Sequence, residues 1–484
     1  MRSIGRNSIT ALAAAMVLGA AGLASAGGFA VPEIGTRKTA MGAVIGRPDD
    51  LSAIYHNPAG LTLSAGTNVY LSTGLALIET NMRLRQWQGS EGYITDPVDS
   101  GGYYPQFAPS RAFAVIPMIT VSTNLWTERL VGALSFYVPN AAGAAFDDDS
   151  PARYHLIDSY VVAGYATAAL ACRVTDWLSV GAGFSLIYMK LHARRFLFPV
   201  LDGNDFGWLL GKSSELLIDG SDLTTGFNLG VLARPLRPLT LGLALISRSD
   251  MTLEGEIALA LGQDALSEGK LEGTQATALV IPWTLQAGAN WDVSRWVEVG
   301  AELRYYFYRQ FKEQRTEIEG IDLIEQLVTP KNYNDSWQVS GGAKVTLPPL
   351  PALELMLGMH FDRTPAPDNT VSAEQPSFNH IGLHMGGRYR LNRRFRLSLT
   401  YARYFYLERT TDDSLTSPPS NFIASGGNNI ITLVLEAHLA GGIGVPNCAA
   451  SPRVPLSYPA APRQGCEDRH AAPKGREERN SAAR

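Results

Sequence analysis

The sequence predicts an all-β protein, a transmembrane antiparallel β-barrel of about fourteen strands. Three observations carry that prediction. The chain opens with an export signal, its long segments alternate apolar and polar residues with a period of two, and short and long connections alternate between those segments. The stretch from Val297 to Tyr308 shows the alternation most fully. Val297, Val299, Ala301, Leu303, Tyr305 and Phe307 fall on one face, and Glu298, Gly300, Glu302, Arg304, Tyr306 and Tyr308 on the other. Two glutamates and an arginine on one face cannot sit unpaired in a dry core. Such a strand either turns its polar face to water around an ordinary core, or turns its apolar face to lipid and its polar face to a lumen. The rest of the chain chooses the second.

Arg2 and Arg6 precede an apolar run from Ile9 to Leu23, and Ala24-Ser25-Ala26 follows as a cleavage site. Residues 1–26 therefore read as a secretory signal peptide. No later segment has the long uncharged apolar run of a membrane helix. The net charge of −4 gives no push toward nucleic acid, and 47 glycines, about one residue in ten, suit turns and a crowded lumen. The three cysteines, Cys172, Cys448 and Cys466, form no metal-binding spacing. Cys172 falls in a predicted strand, and Cys448 and Cys466 are close enough in the tail to pair in an oxidising compartment.

The predicted strands run over 67–85, 112–123, 129–139, 158–174, 178–194, 224–235, 239–256, 277–293, 297–314, 334–347, 352–363, 379–391, 395–408 and 428–439. Many exceed the roughly five to six residues usual in soluble sheets and match the nine to eleven or more that cross a bilayer at a tilt. Short connections such as Thr175-Asp176-Trp177 and Ser294-Arg295-Trp296 alternate with long ones near 86–111, 140–157, 195–223, 257–276, 315–333, 364–378 and 409–427. Trp126, Trp177 and Trp296 mark one membrane interface; Tyr305, Tyr308, Tyr404 and Tyr406 are expected at the other. Residues 440–484 have no period and read as a disordered periplasmic tail.

Motifs for chemistry are weak. Gly207-Trp208-Leu209-Leu210-Gly211-Lys212-Ser213 has three residues between its glycines where a phosphate loop needs four. No nucleophile-elbow motif occurs and no histidine is tied by spacing to one serine, so no enzyme activity is expected. Asp147-Asp148-Asp149 lacks the ligand spacing of a calcium loop and reads as a solvated acidic turn. No cofactor or metal is expected.

The stretch Leu51 to Leu61, with Asn57-Pro58-Ala59-Gly60 at its centre, is the most telling. It resembles the Asn-Pro-Ala segment of the N-terminal plug in the FadL family of outer-membrane long-chain fatty-acid and aromatic-hydrocarbon (toluene) transporters. Gly27-Gly28-Phe29 resembles that family's mature start. The resemblance implies a plug over 27–66 inside a barrel over 67–439, with Phe29, Asn57, Pro58, Ala59 and Gly60 in its gating part. The residues themselves fit a turn: Asn57 before a proline is biased away from helix, its side chain can bond nearby backbone, Pro58 fixes the next dihedral, and Gly60 lets the chain bend.

The resemblance further implies passive uptake of hydrophobic small molecules, a hatch shift, and lateral release at an inward kink in the third strand, here at Pro139, Asn140 and Gly143. An ordinary strand end running into a loop is the other reading of those residues. Arg195 would face a substrate carboxylate, with Phe196 and Phe198 in an adjoining apolar groove; alternatively Arg194 and Arg195 bind lipopolysaccharide phosphates at the rim. Expected partners are the substrate, outer-membrane lipid and lipopolysaccharide, and the barrel-assembly machinery, for a monomer in the bacterial outer membrane. A structural or adhesive barrel and a polar porin are the alternatives. Unlike barrels of this class, the chain continues past its last strand for the length of the tail.

Overall fold

A side chain that alternates between lumen and lipid must be polar where it is covered and apolar where it is open, the reverse of a soluble sheet. Glu298, Glu302 and Arg304 are 5%, 3% and 1% exposed, whereas Val299 and Leu303 between them are 40% and 45% exposed. This inversion recurs around the whole molecule. It is seen in a computed structural model that describes residues 33–64, 66–110, 113–125, 127–198, 213–262 and 269–439. The expected signal peptide, Phe29, Trp126, the loop from Gly207 to Lys212, Cys448, Cys466 and the tail lie outside the described residues.

The strands are β1 (Thr67–Leu84), β2 (Phe113–Thr123), β3 (Leu130–Ala145), β4 (Asp158–Arg173), β5 (Leu178–Phe196), β6 (Glu215–Leu236), β7 (Leu239–Ile246), β8 (Ser249–Leu261), β9 (Gly269–Ile281), β10 (Thr284–Asp292), β11 (Val297–Tyr306), β12 (Glu313–Glu319), β13 (Gln326–Pro330), β14 (Ser336–Thr346), β15 (Leu353–Asp362), β16 (His380–Arg390), β17 (Phe395–Thr410) and β18 (Phe422–Leu439). Antiparallel pairing runs β1-β2-β3-β4-β5-β6-β7-β10-β11-β14-β15-β16-β17-β18 and returns to β1, where Thr67 lies opposite Leu439. That is a closed barrel of fourteen strands, as the sequence predicts. Closure is what lets a sheet stand in hydrocarbon, because every backbone donor then has a partner.

Four long strands are broken near the long-loop end. Pairs β7 and β8, and β9 and β10, are each one expected strand with an interruption, while β12 and β13 extend β11 and β14, after a gap, into the expected loop at 315–333. Pro282 at the second break and Pro330 beside the fourth have no N–H for the ladder, and Asn332 adopts a left-handed φ of 46°. Beyond the breaks, β8, β9, β12 and β13 continue as a sheet hung from the first half of β6, with Glu215 opposite Ala260 and Ser221 opposite Glu254. Its outward face carries exposed Glu254, Glu256, Glu272, Glu313, Glu317 and Glu319. Carboxylates so placed belong in water, so the extension stands clear of the lipid. The expected loops at 257–276 and 315–333 are largely this sheet, and β3 runs to Ala145 instead of ending at Pro139.

One expectation about the aromatics is corrected. Tyr308, Tyr404 and Tyr406 are 2%, 4% and 7% exposed and point inward; the rings open to lipid at that level are Phe307 and Phe405, one residue out of phase. Strand parity decides this: Tyr404 and Tyr406 fall on the inward face and Phe405 between them on the outward one.

Residues 33–64 cross the lumen. The short helix α1 (Thr36–Met41) touches β14 to β18, and the 3-10 turn Pro58–Leu63, after helix α2 (Ala53–His56), touches β3 to β6 on the opposite wall. Glycine makes room for it. A Cβ on Gly242 would overlap the Ile45 carbonyl, and one on Gly358 the Met41 carbonyl.

Two outcomes are expected. Leu357, 63% exposed in mid-strand, faces lipid; Leu357→Arg should cost about 2–4 kcal/mol of folding stability in bilayers, while a lumen-facing Ser340→Ala should cost far less, as denaturant titration in vesicles would read. Glu302 accepts from Lys38 Nζ (2.9 Å) and from the Val44 and Ile45 amides (2.8 and 3.1 Å). Glu302→Ala strands the buried Lys38 charge at a cost of about 3–5 kcal/mol. It should loosen the crossing segment and raise ion conductance in planar bilayers.

Candidate functional site

Two kinds of bond hold the crossing segment. On the side of β10 to β18 the bonds are ionic and sit at the short-turn ends of the strands. Arg37 pairs with Asp49 (2.9 Å), Arg388 with Asp49 (3.3 Å) and Asp50 (3.4 Å), Lys344 with Glu298 (3.2 Å) and Glu354 (3.5 Å), and Glu436 with Arg388 and Arg396 (3.5 Å each). On the side of β4 to β6 the segment makes no ion pair; the Arg173 guanidinium of β4 donates to the Thr62 carbonyl (2.9 Å), and the bonds to β5 and β6 are neutral. Asn228 Nδ2 donates to the Ile54 carbonyl (2.8 Å), and Thr62 Oγ1 meets Ser179 Oγ (3.0 Å).

Asn57 belongs to the neutral side. Its backbone is extended, with φ −157° and ψ 97°, as a residue before proline should be. Its Oδ1 accepts from the Ala59 amide (3.2 Å) and its Nδ2 donates to the Val231 carbonyl of β6 (3.1 Å). Pro58 opens the 3-10 turn. Gly60 needs no special dihedral; it lies so close to Pro48 that a Cβ would overlap that ring. Gly181 and Gly230 on the wall give the same clearance to Pro58-Ala59 and to Asn57.

The stretch of β3 around Pro139 departs from the barrel's regularity. Pairing with β2 ends at Met118 opposite Tyr137, and the pairing with β4 shifts register between Tyr137 and Asn140. Prolines flank the end of the ladder, Pro117 on β2 and Pro139 on β3, and neither has an N–H to give. From Tyr137 to Ala142 every residue is buried, so the in-out alternation is lost. Asn140 Oδ1 accepts from Tyr165 Oη (3.1 Å), and Tyr165 stacks on Tyr137 at 5.5 Å. A Cβ on Gly143 would run into the backbone of Ser159 and Tyr160.

Toward the long-loop end, Arg195 borders a cavity of about 90 Å³ enclosed by β5, β6 and the sheet extension. Its apolar lining includes Leu156, Leu191, Leu216, Ile218 and Leu327; its polar lining includes His155, Arg194, Thr277, Thr316, Thr329 and Glu374. The two arginines differ. Arg194 is paired with Glu215 (2.6 Å) and Asp148 (3.1 Å), and Glu374 lies 3.7 Å from Lys331, whereas Arg195 has no carboxylate partner among the described residues. Phe196 is half-buried beside it. Phe198 is no open groove wall: it is 5% exposed, wedged between Trp87, Tyr93 and Tyr154 at ring distances of 5.4–5.5 Å. That aromatic packing joins three loops far apart in sequence, so no local pattern marks it.

The ionic belt was also missed. Its signal is faintly present: Asp292, Glu298, Lys344, Glu354, Arg388 and Glu436 all stand within a few residues of a short turn and on the polar face of their strands. What sequence alone does not show is which wall residues meet Arg37, Asp49 and Asp50 of the expected plug. Likewise His360 Nδ1 meets His384 Nε2 at 2.6 Å, and His384 Nδ1 donates to the Thr39 carbonyl at 3.0 Å, a chain across two strands and α1.

Comparison with known proteins agrees with this architecture. The profile of a family described as outer membrane protein transport protein (OMPP1/FadL/TodX) matches residues 17–429. No curated protein sequence matches. A FadL homologue from Pseudomonas aeruginosa superposes with a TM-score of 0.71 at 19% identity, covering 85% of this chain and 99% of that one. The toluene transporter TodX from Pseudomonas putida gives 0.65 at 14% identity over 85% and 99%, and the toluene transporter TbuX from Ralstonia pickettii gives 0.59 at 18% over 84% and 98%. At these identities the structures speak for the fold, and the family profile, which spans most of the chain, speaks for descent. The chain belongs to the outer membrane protein transport family (OMPP1/FadL/TodX), and is a transport barrel of the bacterial outer membrane and not an enzyme.

Proposed function

We propose that this protein passes hydrophobic small molecules, such as long-chain fatty acids or hydrocarbons, from the long-loop side into the outer membrane and the space beneath it. The solute is captured among the outer loops, moves through the cavity beside Arg195, shifts the crossing segment as a hatch, and leaves sideways between β2 and β3. Arg195 grips a carboxylate where the solute has one. The observation that carries this reading is the contrast between two exits. The axial route toward the short turns is barred by the ionic belt, where an apolar solute would have to strip buried charges of their partners. The route between β2 and β3 meets only the end of a hydrogen-bond ladder and a run of small residues, Asn140-Ala141-Ala142-Gly143.

Asn57 fits the hatch role because its bonds to Ala59 and Val231 are neutral, each worth about 0.5–1.5 kcal/mol net, stable yet breakable. The flow is downhill and needs no energy source, so the rate depends on how often the bond to Val231 and its neutral neighbours on β5 and β6 open.

Uptake by cells expressing equal surface amounts of each variant tests both parts. Ala141→Trp fills the β2–β3 exit and should cut uptake of a labelled lipophile by about tenfold or more, while the barrel keeps its resistance to heat in detergent gels. Unchanged uptake would eliminate the lateral exit. Asn57→Ala should leave the barrel folded and change uptake severalfold; an unaltered rate would make the crossing segment mere filling.

A further inference from the structure

We infer that the short-turn rim of the barrel is a collar that binds anionic phospholipid head groups in the membrane leaflet on that side. This stands apart from the solute path.

The charge distribution comes first. A net charge of −4 hides two unlike ends. The sheet extension at the long-loop end turns a row of glutamates outward, whereas the short turns carry arginine. Arg129, Arg234, Arg237, Arg295, Arg393 and Arg394 stand in or beside these turns, all exposed, and none has a carboxylate partner among the described residues. Glu128 and Asp176 are the exposed carboxylates that oppose them there, among the described residues. The acids of the ionic belt do not neutralise the rim, because they already face cations of their own: Asp292 meets Arg47, and Glu436 meets Arg388 and Arg396.

Apolar neighbours fix the depth of these cations. Trp177, Leu236, Val293 and Leu391, each in or beside a short turn, are more than half exposed. Open indole and aliphatic groups at a strand end belong in the interfacial zone between hydrocarbon and water. The Arg295 guanidinium lies over the Trp296 ring, 4.8 Å from its centre. That contact holds the charge at the level of the ring, where lipid head groups lie.

The arrangement also selects the partner. The six arginines belong to the β2–β3, β6–β7, β10–β11 and β16–β17 turns, so they are spread around the ring. A docked protein would need one contiguous basic face. Lipid surrounds a barrel on every side, and a circumferential set of cations matches it. A guanidinium can grip a phosphate through two parallel hydrogen bonds. The phosphate of phosphatidylcholine is answered by its own choline; that of phosphatidylglycerol is not. Each basic side chain near an anionic leaflet adds to the attraction, which salt screens within a Debye length.

Lipid retention by the full-length protein tests this. The protein is folded into vesicles of equal parts dioleoylphosphatidylglycerol and dioleoylphosphatidylcholine and extracted in a mild neutral detergent. Mass spectrometry then counts the retained lipids. Wild type should retain phosphatidylglycerol over phosphatidylcholine by about fivefold, and sodium chloride at about 0.5 M should remove most of that preference. Arg234, Arg237, Arg295, Arg393 and Arg394 changed together to glutamine should bring the ratio to about one, with resistance to heat on gels retained. The smaller change, Arg393→Gln with Arg394→Gln in one exposed turn, should lower the preference to about half. Lysine at the same five positions keeps the charge and should keep most of the preference. Excess glycerol phosphate during extraction should displace no lipid. Equal retention of the two lipids by wild type, a preference unchanged in both glutamine variants, a lysine variant as unselective as the glutamine one, or displacement by glycerol phosphate would each overturn the collar. None of these outcomes touches the transport reading, which uptake measures.

Discussion

In hydrocarbon an unpaired backbone amide has no water to fall back on, and this constraint shapes the whole molecule. It closes fourteen strands into a ring at Thr67 and Leu439. It also makes the break between β2 and β3 informative. Where the ladder stops at Met118 and Tyr137, the departing strand does not hang in lipid; residues 137–142 are all buried against the interior. The open edge is tolerated because protein covers it from within, and the flanking prolines reduce the number of donors left to satisfy.

Closing the ring creates a second demand, since the lumen is then lined by charged side chains that need partners. The crossing segment meets that demand unevenly. Arg37, Lys38, Asp49 and Asp50 complete an ionic belt with β10 to β18, while Ile54, Asn57 and Thr62 touch β5 and β6 through neutral bonds. Removing one member of a buried ion pair costs several times what a neutral bond does. The segment is therefore anchored on one side and loosely held on the other, and the loose side is the one whose 3-10 turn also touches β3.

The outer cavity obeys a different rule. It lies in the part of the sheet that rises above the lipid, where Glu254, Glu256 and Glu319 are free to face water. There the wall tolerates polar groups, and the lining can combine Leu191 and Leu327 with Arg195 and His155.

Much of this was legible in the sequence. The alternation of Val299 and Leu303 with Glu298 and Glu302 set two opposite faces, and the export signal with the alternating turn lengths decided that the apolar one meets lipid. The spacing of turns determined the number of strands, and Asn57 before Pro58 determined an extended residue entering a tight turn. Parity slipped where whole runs are aromatic: Tyr404, Phe405 and Tyr406 look alike by composition, and pairing alone sends the tyrosines inward. What only the tertiary structure decided are the contacts between segments hundreds of residues apart. The partners of Lys38 lie on β11 and β14, Phe198 packs into loops from elsewhere in the chain, and Ser420 meets His155 across 265 residues of sequence. Local periodicity fixes a residue's face, but a hydrogen bond or ion pair depends on distance in space, which exists only once the ring has closed.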